Sequence, residues 1–186
     1  MRKLIFGTNL TLDGCCDHTK GIADEALHDY FTSLLKGCDT FVYGRKTYEL
    51  MVPFWPDMAR KKSGDTKALN DFAETFSSVK QIVVFSRTLT KVDEKNAILN
   101  KGDLREEILK LKQQEGKSIM TGGVDIPKQL IQMDLVDEFY FVIHPVFAGE
   151  GRRLLENINL NREVRLESAK HFGAGHVALH YSRKTV

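Results

Sequence analysis

Three short polar stretches stand at the ends of apolar runs in this chain: Gly44-Arg45-Lys46-Thr47, Ser86-Arg87-Thr88 and Thr121-Gly122-Gly123. The first follows Thr40-Phe41-Val42-Tyr43 and leads into a helical pattern. A strand that ends at glycine and feeds a helix leaves unpaired N–H groups pointing outward, with the positive end of the helix dipole behind them. Arg45 and Lys46 add full charges and Thr47 adds a short hydroxyl donor, so the corner is either an anion site, best matched by a cofactor phosphate, or a plain strand-to-helix turn whose basic residues face water. At Gly122-Gly123 the absence of Cβ atoms lets backbone approach a phosphate closely. Ser86 and Arg87 offer a hydroxyl and a guanidinium where an NAD site would place an acid, which suits the ribose 2′-phosphate of NADPH. Asp13, in the pair Asp13-Gly14, is the carboxylate to place near a reacting carbon, either anchoring a substrate or relaying a proton; a plain turn has the same sequence. His144, before Pro145, faces a pocket or packs as a hydrogen-bonded core residue, and Arg152 and Arg153 meet a substrate phosphate or solvent.

These stretches can act together only if an open α/β sheet brings strand ends to one edge. The expected strands cover 3–12, 40–43, 81–86, 97–99, 117–121, 136–147, 162–169 and 176–182. Between them, Asp24 caps a helix with Leu27, Tyr30, Phe31, Leu34 and Leu35 on one face, ending at Gly37. Further helices are expected after Gly44, over 66–76, from Asp103 with its capping-box Glu106, and from a cap at Asp125 with Pro127 in the first turn. Residues 14–21 have no period and read as a mobile surface loop, and Pro53-Phe54-Trp55-Pro56 reads as a break. Strands alternating with helices, then a terminal hairpin, predict an α/β fold with a mixed, mostly parallel sheet, flanking helices and a C-terminal antiparallel hairpin.

Length and composition limit the alternatives. With 186 residues and no linker or repeat, one domain over 1–186 is expected. The net charge of +2, from 27 basic and 25 acidic residues without a basic block, argues against nucleic acid. No apolar run reaches membrane-span length, and Met1-Arg2-Lys3 leads directly into a strand, so a soluble cytoplasmic protein is expected. Cys15, Cys16 and Cys38 fit no metal or redox spacing, and no metal is expected. Neither the six-residue dinucleotide fingerprint nor a Walker sequence is present.

In order and spacing, several motifs carry a resemblance: Leu12-Asp13-Gly14, Tyr43-Gly44-Arg45-Lys46-Thr47-Tyr48-Glu49, Gly122-Gly123, Leu135-Val136-Asp137-Glu138 and His144-Pro145-Val146-Phe147-Ala148-Gly149-Glu150-Gly151. The whole chain resembles the dihydrofolate reductase-like superfamily, most closely proteins related to the C-terminal reductase domain of the bifunctional riboflavin-biosynthesis protein. The resemblance implies a three-layer fold, a homodimer and an NADPH-dependent reductase like 5-amino-6-(5-phosphoribosylamino)uracil reductase. It implies that Gly44, Arg45, Lys46 and Thr47 hold phosphates, Ser86 and Arg87 the adenosine end, and Gly122 and Gly123 the diphosphate near the nicotinamide. Two positions depart from the pattern. Thr121 stands where the riboflavin enzymes carry a glutamate, and His28 and Asp29 stand near the place of the pterin-binding acid of folate reductases. A pterin reductase and a non-catalytic NADPH-binding protein are the alternatives.

Overall fold

The computed structural model describes residues 1–184. One eight-stranded sheet runs through it: β1 (Leu4–Thr11), β2 (Cys38–Gly44), β3 (Gln81–Phe85), β4 (Ala97–Asn100), β5 (Ser118–Thr121), β6 (Glu138–His144), β7 (Val164–Phe172) and β8 (His176–Arg183). Their order across the sheet is β4-β3-β2-β5-β1-β6-β8-β7. The first six are mutually parallel, and the hairpin of β7 and β8 is antiparallel, added to the edge of β6.

Alternate residues of the central strands feed two apolar layers, as in a parallel sheet covered on both sides. Leu4, Phe6, Val42, Val83 and Ile119 pack with Leu104, Ile108 and Leu111 of α5 (Leu104–Gln113) and with Ile126 and Leu130 of α6 (Asp125–Gln132). On the opposite face Ile5, Phe41, Tyr43, Ile82, Val84 and Met120 pack with α1 (Glu25–Lys36), α2 (Arg45–Met51) and α4 (Lys67–Ser77). Asp24 and Asp103 cap α1 and α5 with their side chains, as the sequence predicts, and Thr66, expected inside a helix over 66–76, caps α4 instead.

Four expectations are corrected. The break falls at Val52 and Pro53, after α2 ends at Met51, and does not extend to Pro56: Phe54 begins α3 (Phe54–Lys61), because a proline in a first turn, here Pro56, forfeits an N–H that has no helical partner anyway. Asp125 is the first residue of α6 and not its cap: Val124 takes that place without a side-chain bond, while Asp125 pairs with Arg152. β6 stops at His144, ahead of Pro145, instead of running to 147. The segment 14–21 is tied down, with Cys15 buried and bridged to Arg153, and a 3-10 turn at His18–Lys20 capped by Asp17.

Candidate functional site

Because β1, β2, β3, β5 and β6 are parallel, the three polar stretches lie on one edge of the sheet. Three consecutive strands supply them and a fourth adds Asp13: Ser86-Arg87 follows β3, Gly44 ends β2, Gly122-Gly123 follows β5 and Asp13 follows β1. At the usual strand spacing this row is roughly 14 Å long. The chain leaves β2 and β1 toward the α1 and α2 face but leaves β5 toward α6 on the other face. A crevice therefore opens around the end of β5, the position where open α/β sheets bind ligands.

Glycine is required where β2 and β5 meet. A β-carbon on Gly123, which has φ +80°, would overlap the Thr47 hydroxyl and lie 3.2 Å from Thr47 Cβ. One on Gly44 would lie 3.1 Å from Ile126 Cγ1. The starts of α2 and α6 are thus pressed together, and neither has a side-chain cap, unlike α1, α4 and α5. Their leading N–H groups open onto the crevice with no protein acceptor of the capping kind. At Gly122 a β-carbon would make only ordinary contacts, 3.5 Å from Tyr43 Cε1 and 3.7 Å from the Gly7 carbonyl oxygen. Tyr43 belongs to the wall of this corner, a position the sequence analysis did not single out.

The charges around the corner are partly matched. Arg45 donates to Glu49 at 3.2 Å on the first turns of α2. The pKa of the Asp125 carboxyl is lowered from its ordinary value, chiefly by its bond to Arg152, and Lys46 adds to that. Both nearby carboxylates are therefore balanced by arginines, which leaves Lys46 as the added cation. Ser86 Oγ accepts the N–H groups of Thr88 (3.2 Å) and Leu89 (3.0 Å), which shapes the turn that exposes Arg87. These donors and cations fit a polyphosphate along the row, so Gly44, Lys46, Thr47, Gly122 and Gly123 are the residues able to hold the phosphates of a dinucleotide, with Arg45 and Arg87 at its flank.

Asp13 is tightly bound. Its carboxylate accepts the Thr11 hydroxyl (2.5 Å) and the N–H groups of Ala148 (3.0 Å) and Gly149 (2.9 Å), and the Thr11 hydroxyl and Ala148 N–H hold it far below the usual carboxylate range. A group kept ionised in this way anchors the loop 145–151 over the end of β1; relaying protons at neutral pH calls for a pKa near 7. Arg153 closes the same corner by donating to the Asp13 carbonyl at 3.0 Å. Thr121 is fully buried and donates its hydroxyl to the Val42 carbonyl at 2.9 Å, so it joins β5 to β2 and does not enter the crevice. His28 packs edge-on against Trp55 and Phe72, where burial lowers its pKa, and Asp29 is exposed.

Comparison with known proteins agrees with this layout. The model of the RibD C-terminal domain family matches residues 2–178. The chain is 33% identical over 184 residues to the uncharacterized protein YyaP of Bacillus subtilis (strain 168), covering 97% of this chain and 94% of that protein. Among solved structures, a putative riboflavin biosynthesis protein from Shewanella sp. PV-4 superposes with a TM-score of 0.74 at 20% identity, all of both chains being covered. Dihydrofolate reductase from Enterococcus faecalis, solved with NADP(H), superposes with a TM-score of 0.62 at 17% identity over 98% of this chain and 97% of that one. Architecture and sequence agree: the fold is dihydrofolate reductase-like, and the chain belongs to the RibD C-terminal domain family.

Proposed function

We propose that this protein is an NADPH-dependent reductase that delivers a hydride to a C=N or C=O carbon of a small heterocyclic or ribose-derived substrate. The observation that carries the reading is the junction of Gly123 with Thr47, which packs two helix starts without side-chain caps side by side at the β2–β5 edge. Gly44, Lys46, Thr47, Gly122 and Gly123 hold the phosphates, and Ser86 and Arg87 take the adenosine end, where the exposed guanidinium favours a 2′-phosphate. Bound NADPH would supply the hydride, and the substrate heteroatom would take its proton from solvent. The chain's share is to hold donor and acceptor carbons together and keep water out, with Asp13 fixing the 145–151 loop over that end of the row. Thr121, buried where the riboflavin-type reductases carry a glutamate, offers no carboxylate to a substrate, so an aminopyrimidine riboside is one of the acceptors to test and not the assumed one.

The test is turnover. The protein is mixed with NADPH and, in turn, dihydrofolate, an aminopyrimidine riboside and a cyclic imine, and absorbance of the reduced nicotinamide is followed. Loss of that absorbance with any acceptor supports a reductase. NADPH binding without oxidation by any of them favours the second reading, a cofactor-binding protein without turnover.

A further inference from the structure

The end of β6 carries a second polar feature, separate from the phosphate row. His144 is 2% exposed, and its Nδ1 accepts the Ile22 N–H at 2.9 Å. This bond makes Nε2 the protonated nitrogen of the neutral ring, and Nε2 is buried without a partner. Burial, reinforced by the neighbouring His176 ring at 4.6 Å, lowers the His144 pKa and keeps it neutral. His176 Nε2 lies 3.0 Å from the Ile22 carbonyl oxygen, so two imidazoles hold the peptide groups on either side of Ile22 and fix the 21–23 segment above the sheet.

On the same face of the sheet, Asn9 Oδ1 is also buried without a partner. Thr11 pairs with His144 across the β1–β6 ladder and Asn9 pairs with Val142, so Asn9 and His144 are diagonal neighbours. Both line a cavity of about 70 Å³ beneath the 15–23 segment. Gly21 keeps it open, since a β-carbon there would lie 3.0 Å from His144 Cε1 and 3.5 Å from Nε2. Thr11, between them, has its hydroxyl committed to Asp13 and the Cys15 N–H. Leaving two buried polar atoms unpaired forfeits the hydrogen bonds each had with water, a penalty that a ligand or a water can remove.

We propose that Asn9 and His144 form a two-point binding site for a planar amide or ureide group, the His144 Nε2–H donating to its carbonyl and Asn9 Oδ1 accepting its N–H. A hydrocarbon group leaves both atoms unpaired, and an anion satisfies only His144. The volume matches a fragment of a few heavy atoms, that is, one edge of a heterocycle. That this edge belongs to the hydride acceptor rests on the reductase reading; the two-point site does not.

The probe is uracil, compared with uracil methylated on both ring nitrogens, titrated into the full chain isotope-labelled at its histidine ring nitrogens. Uracil is expected to shift the His144 Nε2 resonance saturably. The methylated probe and the Asn9→Leu variant are each expected to weaken binding about tenfold. Near-ultraviolet circular dichroism of the variant confirms an intact fold, and His144→Gln is the second variant should Asn9→Leu misfold. Equal affinity for both probes, or a His144 resonance that uracil leaves unmoved, overturns the proposal and leaves a bridging water in the cavity. A parallel NADPH titration separates the two readings. NADPH binding with no uracil response removes this site alone, whereas a uracil response without NADPH binding removes the reductase and retains the site.

Discussion

The backbone of Gly123 occupies the space where any side chain would strike the Thr47 hydroxyl, and this contact joins the ends of β5 and β2. Gly123→Ala is therefore expected to lose stability by more than the roughly 1–2 kcal/mol of a left-handed alanine, because the overlap with Thr47 adds to it. Gly122→Ala, whose β-carbon meets only ordinary contacts, is expected to change stability by less than about 0.5 kcal/mol. Both are expected to weaken NADPH binding, Gly122 through lost backbone approach. Chemical denaturation and a cofactor titration on each variant check the contrast.

Arg87 and Arg45 are expected to divide the cofactor between them. Arg87→Ala should weaken NADPH about tenfold and leave NADH nearly unchanged, because only NADPH carries the 2′-phosphate. Arg45→Ala should weaken both by a smaller, salt-sensitive factor, since Glu49 already neutralises part of its charge. Fluorescence titrations at two ionic strengths measure both effects.

The strands and corners were legible in the sequence because their signals are local. Apolar runs placed β1, β2, β3 and β5 within a residue or two, and Asp24 and Asp103 announced their helices. Asn9 carried a weak local signal, a polar amide within a strand of otherwise apolar and hydroxyl residues. The grip of His144 and His176 on Ile22 spans more than a hundred residues of chain, as does the hold of Asp13 on Ala148, and no period or motif encodes such pairs. The place of Asp125 was misread for the same reason, since distant Arg152 claims its carboxylate. Pro53 marked the break after α2 correctly, whereas Pro56 misled because proline breaks the interior of a helix but suits its first turn.

Thr121→Val should cost about 1–2 kcal/mol, the loss of a buried hydroxyl donor that leaves the Val42 carbonyl short of a partner. NADPH affinity should stay within about twofold, because the hydroxyl is turned to the Val42 carbonyl and away from the crevice. A large loss of cofactor binding in a folded Thr121→Val protein would place the hydroxyl in the crevice after all.

His144 gives stability a pH dependence of known sign. Its folded pKa lies below the ordinary value of 6.5, so the unfolded chain binds the proton first as pH falls. Stability is then full above that value and declines as pH drops from it toward the folded pKa, where Nδ1 protonation breaks the Ile22 bond. Other groups near the ring are His176, Asp24 and, around the cavity, Asp17, His18 and Cys15; of these, Asp24 opposes the shift and His176 reinforces it. His144→Gln keeps an acceptor for Ile22 without a titration, so its melting temperature should fall less than that of the unmutated protein between about pH 7 and pH 5.5.

The most direct test of the whole account is a paired titration of the unmutated protein with NADPH and with NADH, read by energy transfer from Trp55 to the reduced nicotinamide. The account predicts saturable binding of NADPH, tighter than NADH by about tenfold or more. Equal affinity for the two would remove the role of Arg87, and binding of neither would contradict the assignment of the β3-β2-β5-β1 edge as a cofactor site.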